Sequence, residues 1–176
     1  MKTSAPEPEG PEHMAIKTII ICWEGPYDLE TVGSSDLGNG LYFLSGRRRY
    51  ERSDQIQYFG ITTRKYRNRI KYDHQALGQI REDTLCIWLG QIEYPRRFKV
   101  DHLKLAESCL IYFWQPNVNK IGKIWLSEPV CLVSRWTKLD GSVRRRREFV
   151  YKDLPDVLWW DNEYWRTGNL KLEQDS

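Results

Sequence analysis

An α+β domain is the fold class this sequence predicts, and three observations predict it. Short apolar runs recur at strand length, two segments repeat their apolar residues at helical spacing, and an Asp-Gly pair separates two further runs as in a hairpin. A chain of 176 residues suits one core with decorations better than two domains.

Residues 1–13 are expected to be a disordered tail or cloning remnant, because the segment is rich in Pro and Glu and His13-Met14 reads as a junction. Residues 14–176 are then the single domain. Residues 16–23 are β-branched and apolar and form a strand, and residues 24–39, with Gly25-Pro26 and Gly38-Asn39-Gly40, form a turn-rich connection. Two further strands, 41–44 and 56–61, are joined by a loop at 46–55 that carries Arg47, Arg48, Arg49 and Arg52.

Residues 64–77 are expected to be a helix capped by Thr62 or Thr63, because Tyr66, Ile70 and Leu77 fall within about 40° of one another at helical periodicity. A strand follows at 85–92. Asp101 caps a second helix that must end before Pro116. Residues 130–138 and 142–151 flank Asp140-Gly141, where a two-residue turn pairs Leu139 with Ser142 and Trp136 with Arg145. The last segment, with Trp159, Trp160, Tyr164 and Trp165, is an aromatic flap packed on the domain, so 124–176 reads as a basic hairpin plus flap.

The net charge of +3 divides into −5 over residues 1–46, +11 over 47–150 and −3 over 151–176. Such a basic block is the footprint expected of a polyanion-binding face. No apolar run approaches the roughly 18 residues of a membrane span. Cys22, Cys86, Cys109 and Cys131 lie far apart in apolar stretches, without a CxxC pair, and read as reduced core residues of a cytoplasmic protein.

Within the second helix, Leu103, Ala106, Leu110, Phe113 and Trp114 make an apolar stripe, and Glu107 projects into it. A carboxylate facing the core needs an arginine, a metal ion or a proton. Tyr42 and Tyr58 occupy neighbouring places on adjacent strands, where a phenol packs, hydrogen-bonds or, beside cations, takes part in proton transfer. Arg64, Lys65, Arg67, Arg69 and Lys71 follow the second tyrosine.

Gly40-Leu41-Tyr42, Tyr58-Phe59-Gly60-Ile61-Thr62, Arg69-Ile70 in a basic segment, and Glu107 followed by Pro116-Asn117-Val118-Asn119 together resemble the core of the GIY-YIG nucleases over residues 40–119. The resemblance implies a small, mostly antiparallel sheet flanked by helices, here with an added N-terminal strand and a C-terminal β-hairpin. It also implies a metal-dependent endonuclease acting on DNA, with RNA as an alternative substrate and a homodimer as a route to double-strand cuts. Glu107 would hold Mg2+ or Mn2+, and Tyr42 and Tyr58 would orient or deprotonate the attacking water, without a choice between them. Arg69, or in its place Arg67, would bind the scissile phosphate; Asn119 would tie the end of the helix to the site, and His74 is a further candidate for acid, base or water positioning. Arg47, Arg48, Arg49, Arg64, Lys65, Arg67, Arg144 and Arg146 are the candidate nucleic-acid contacts. Ile61 stands where the family frequently has Lys, Gln or Ser, and the helix comes one residue late, with Asn68 where many members have their arginine; both motivate a second reading, a nucleic-acid-binding protein of this fold with impaired catalysis, beside a third, a toxin-like or RNA-directed nuclease.

Overall fold

The structure, a computed structural model, describes residues 15–142 and 154–171. Its frame is a seven-stranded sheet in the order β3-β2-β4-β1-β5-β6-β7 among the described residues. The strands are β1 (Lys17–Tyr27), β2 (Gly38–Gly46), β3 (Gln55–Lys65), β4 (Cys86–Tyr94), β5 (Val130–Thr137), β6 (Val157–Trp160) and β7 (Trp165–Gly168). Only β1 and β5 run parallel; the other pairings are antiparallel, so the sheet is mixed but mostly antiparallel.

Side chains alternate between the faces of a strand, and in β2 that alternation divides two cores. Leu41 and Phe43 join Ile19, Ile21, Trp23, Phe59 and Trp88 under helix α3 (Val100–Trp114). Tyr42 and Leu44 point the other way, toward Val32 of helix α1 (Leu29–Ser34) and toward Tyr66, Ile70, Leu77 and Ile80. Because both faces are covered, every residue from Gly40 to Gly46 is buried.

The expected first strand is extended: β1 continues through Gly25-Pro26 to Tyr27, and the remaining connection contains α1, whose Asp28 cap accepts the Thr31 N–H at 2.7 Å. The expected helix over 64–77 is a correction. Helix α2 (Tyr66–Arg69) is one turn, begins after Lys65 without a side-chain cap, and gives way to turns and a 3-10 turn at Leu77–Gln79. Thr62 instead accepts the Arg64 N–H at 3.1 Å. The chain stops winding because tertiary contacts outweigh local propensity. Tyr66 donates its hydroxyl to the Gly90 carbonyl at 2.8 Å, Ile70 is buried, and the His74 ring takes the Ala76 N–H at 3.2 Å, which a continuing helix would commit to its own backbone.

Helix α3 runs to Trp114 and stops at Gln115 in the left-handed conformation, just before Pro116. Its N-cap is Lys99, with Asp101 in the first turn, so the expected Asp101 cap is shifted by two residues. His102 Nδ1 accepts the Lys99 N–H at 3.0 Å and closes that end.

The expected two-residue hairpin turn is also corrected. Lys138 N–H donates to the Ser142 carbonyl at 2.9 Å, so the turn holds Leu139, Asp140 and Gly141, with Gly141 at φ 79°. Asp140 selects this geometry by accepting the Ser142 N–H at 2.9 Å. Arg144 and Arg146, with Arg145, lie outside the described residues. Trp136, expected opposite Arg145, stacks on Trp23 with ring centroids 5.9 Å apart and meets Trp88 edge-on. The aromatic flap is part of the sheet itself: β6 and β7 extend it, and Trp160 and Trp165 pack on Tyr112 and Phe113 of α3.

No helix among the described residues is long and apolar enough to cross a membrane. Cys109 is fully buried, which pushes its thiol pKa up, while Cys22 and Cys131 are half-buried free thiols.

Candidate functional site

The β2–β3 register sets Tyr42 opposite Gly60 and Leu44 opposite Tyr58, so the two tyrosines are diagonal neighbours on one face, with ring centroids 6.0 Å apart. Tyr42 is fully buried; Tyr58, half-buried, forms the wall of a cleft of about 870 Å³. Arg69, Lys71 and His74 line that cleft from the turns after β3, Glu107 from α3, and Asn119 and Lys120 from the loop that follows α3.

The motif glycines leave room for this arrangement. A methyl group at Gly60 would lie 2.5 Å from the Tyr42 hydroxyl and 2.8 Å from a Tyr58 ring carbon. At Gly40 it would collide with the Tyr66 hydroxyl and the Gly90 carbonyl, which are hydrogen-bonded to each other at 2.8 Å. Neither position has a positive φ; close approach is what both glycines permit.

His74 Nε2 lies 2.9 Å from the Tyr42 hydroxyl, and its Nδ1 accepts the Ala76 N–H. The neutral ring therefore carries its proton on Nε2 and donates to Tyr42. Burial, then Arg69, push the His74 pKa down, which favours that neutral form. Burial pushes the Tyr42 pKa far up, the neighbouring Tyr58 adds to this, and Arg69 opposes it without overcoming it, so Tyr42 is a phenol near neutral pH.

Helical spacing alone separates His74 from Arg69 by about 140°. The helix ends at Arg69, and the turns beyond bring both side chains back to the tyrosines.

Glu107 is half-buried, and burial raises its carboxyl pKa from 4.5 to about 7, with Arg69 pulling the other way. Its burial is incompletely offset by that one cation. Among the described residues there is no cluster of three or more His, Cys, Asp or Glu side chains able to hold a metal ion. A hard divalent ion here would rest on Glu107, water and substrate oxygens, and an under-compensated carboxylate at a roomy polar cleft fits such an ion.

Asn119 grips the open edge of β3: its Oδ1 accepts the Phe59 N–H and its Nδ2 donates to the Phe59 carbonyl, both at 2.9 Å. Val118 N–H adds a bond to the Gln57 carbonyl at 3.0 Å. The loop after α3 is thereby fastened next to Tyr58. Asn119→Ala strands two buried backbone groups and is expected to destabilise the protein by about 2–4 kcal/mol, read as a lower urea midpoint at unchanged slope.

The expected basic contacts divide. Arg47 is held by Asp54 at 3.0 Å, and Lys65 and Arg67 share Asp36 at 2.5 and 3.2 Å. Arg64, Lys65 and Arg67 are not among the side chains lining the cleft. Arg49 is exposed over the Tyr50 ring, and Arg48 is half-buried, its N–H bonded to Glu51. Lys120 is a cleft residue that the motif reading missed; its place directly after Asn119 was the available signal. Ile61 packs partly buried on the α3 side, facing away from the tyrosines.

No protein-family model matches the chain, and neither does any curated protein or solved structure compared with it.

Proposed function

We propose that this protein is a metal-dependent endonuclease of GIY-YIG type that hydrolyses phosphodiester bonds in DNA. The observation that supports this most is the convergence of Tyr58, Arg69, His74 and Glu107 on one cleft, with Tyr42 behind Tyr58. These residues come from two strands, two helices and a turn, and gathering a phenol pair, a guanidinium, an imidazole and an under-compensated carboxylate in one place is the pattern of a functional site.

In this reading Glu107 would hold Mg2+ or Mn2+, which would supply Lewis-acid stabilisation of the charge that develops on the phosphate. Arg69 binds the scissile phosphate through charge-assisted hydrogen bonds. His74 fixes the Tyr42 hydroxyl, Tyr42 in turn positions Tyr58, and Tyr58 presents its phenol oxygen to the attacking water. Lys71 and Lys120 hold phosphates beside the scissile one. The basic block of residues 47–150 and the one tyrosine-walled cleft among the described residues fit DNA nicking, with double-strand cuts requiring two protomers or two encounters.

Of the two motives for the impaired-catalysis alternative, Ile61 does not face the tyrosines, whereas the displaced, one-turn helix that carries Arg69 still favours it. Supercoiled plasmid is expected to be nicked in Mg2+ or Mn2+ and left intact in EDTA, with single-stranded DNA and RNA cut more slowly. Absence of cleavage at any protein concentration, or equal cleavage in EDTA, overturns the proposal.

A further inference from the structure

The loop that follows Asn119 carries the sequence Lys120-Ile121-Gly122-Lys123-Ile124-Trp125, and it reverses the usual distribution of apolar side chains. Ile121, Ile124 and Trp125 are 85, 92 and 71% exposed. Residues on either side are held firmly. Asn119 is buried against Phe59, Leu126 is 3% exposed in the α3-side core, and Gln115 donates to the Lys123 carbonyl at 2.8 Å and to the Tyr112 carbonyl at 2.7 Å. Gly122, at φ 86°, provides the turn.

Three apolar side chains are thus presented to solvent by a backbone pinned before, within and after them. Lys120 and Lys123 are interleaved with them, and no acidic residue occurs between Gln115 and Ser127. Lys120, Ile121 and Gly122 are also a wall of the cleft that holds Arg69 and Glu107. An exposed apolar cluster of this kind marks an interaction site. Its cationic interleaving and its continuity with the cleft through Lys120, Ile121 and Gly122 select a polyanion that also offers flat apolar surface, which is a DNA duplex whose bases the loop can unstack.

We propose that this loop is a wedge that enters the substrate beside the scissile phosphate, with Trp125 stacking on a base, Ile121 and Ile124 separating a base step, and Lys120 and Lys123 pairing with the flanking phosphates. The inference rests on the nuclease reading for its substrate class and adds that the bound nucleic acid is locally unstacked.

The test uses the full chain in EDTA and a short DNA duplex with 2-aminopurine, a base whose fluorescence rises on unstacking, placed at successive positions. Binding is expected to raise the fluorescence at one or two adjacent positions. The double variant Ile124→Ser, Trp125→Ala should lose the rise and bind about tenfold or more weakly, while Trp125→Phe keeps both. Thermal unfolding should be unchanged in all of them, since these side chains are exposed. No rise with the wild type, or an undiminished rise and affinity with the double variant, overturns the wedge. So does loop-dependent binding to phosphatidylserine vesicles without binding to DNA. Plasmid nicking accompanied by an unaltered fluorescence would refute the wedge alone; a loop-dependent rise without nicking would refute the nuclease reading alone.

Discussion

Glu107→Gln is expected to abolish cleavage while making the metal-free protein more stable. The activity loss follows from Glu107 being, with the exposed Asp73, one of two carboxylates that line the cleft among the described residues, and the one that is half-buried and acted on by Arg69. Lewis-acid stabilisation is worth several kcal/mol, and about 4 kcal/mol is roughly 10³ in rate, so plasmid nicking should fall by about that factor or more.

The stability gain follows from burial, which raises the Glu107 carboxyl pKa from 4.5 to about 7. A folded acid with a raised pKa binds its proton more tightly than the unfolded chain does. Below about pH 4.5 both states are protonated and the group is neutral in its effect. As pH climbs through 4.5 toward 7, the unfolded chain ionises first and the folded state loses stability; above about 7 the loss is complete.

Glutamine removes that penalty without changing shape. Allowing for partial exposure, the variant should exceed the wild type by about 1–3 kcal/mol near pH 8 in EDTA, and the difference should vanish near pH 4. Denaturant titrations at the two pH values check this. A variant that is destabilised at both values, or that still cuts, contradicts the assignment of Glu107.

Gly60→Ala should remove most activity without replacing any of the polar side chains of the site. The new methyl would lie 2.5 Å from the Tyr42 hydroxyl and 2.8 Å from the Tyr58 ring, well inside van der Waals contact. The closer of the two contacts is to Tyr42, which His74 at 2.9 Å and complete burial hold in place, so both Tyr42 and the half-buried Tyr58 must be displaced.

Overpacking of this kind costs about 1–3 kcal/mol, and a displacement of about 1 Å in a catalytic group lowers rate roughly 10²-fold. Gly33→Ala is the control: nothing lies within 4 Å of a methyl there, in helix α1, so activity should be retained and stability should rise by about 0.4–1 kcal/mol. Nicking rates and thermal unfolding of the two variants separate a packing effect at the tyrosines from a general loss of glycine.

Most strands were legible because their signal is local: Leu41, Phe43, Phe59 and Trp88 alternate with residues of the opposite face, and burial on both sides of β2 requires a continuous apolar run. The stripe of α3 was legible for the same reason, and Glu107 stood out as a carboxylate within it. Residues 64–77 were misread because a periodicity of three apolar residues cannot distinguish a helix from an irregular segment whose anchors happen to share that spacing. Tyr66, Ile70 and Leu77 are buried as expected, and the chain between them is held by partners distant in sequence. The turn at Asp140 differed by one residue because its side chain and the left-handed Gly141 stabilise a longer loop.

Local spacing was enough for the α+β class, for Tyr42 and Tyr58 on successive strands, for the inward-facing Glu107 and for the stop before Pro116, because each is set by residues close together along the chain. Contacts between distant segments were needed to bring His74 to the tyrosines, to close the edge of β3 with Asn119, to pair Asp36 and Asp54 with three of the expected phosphate-binding cations, and to leave Ile124 and Trp125 exposed in the loop whose Ile121 walls the cleft. Those outcomes depend on which segments meet in space, and the partner that satisfies a buried polar group lies 60 positions away for Asn119 and Phe59 and 111 for Trp23 and Ser134.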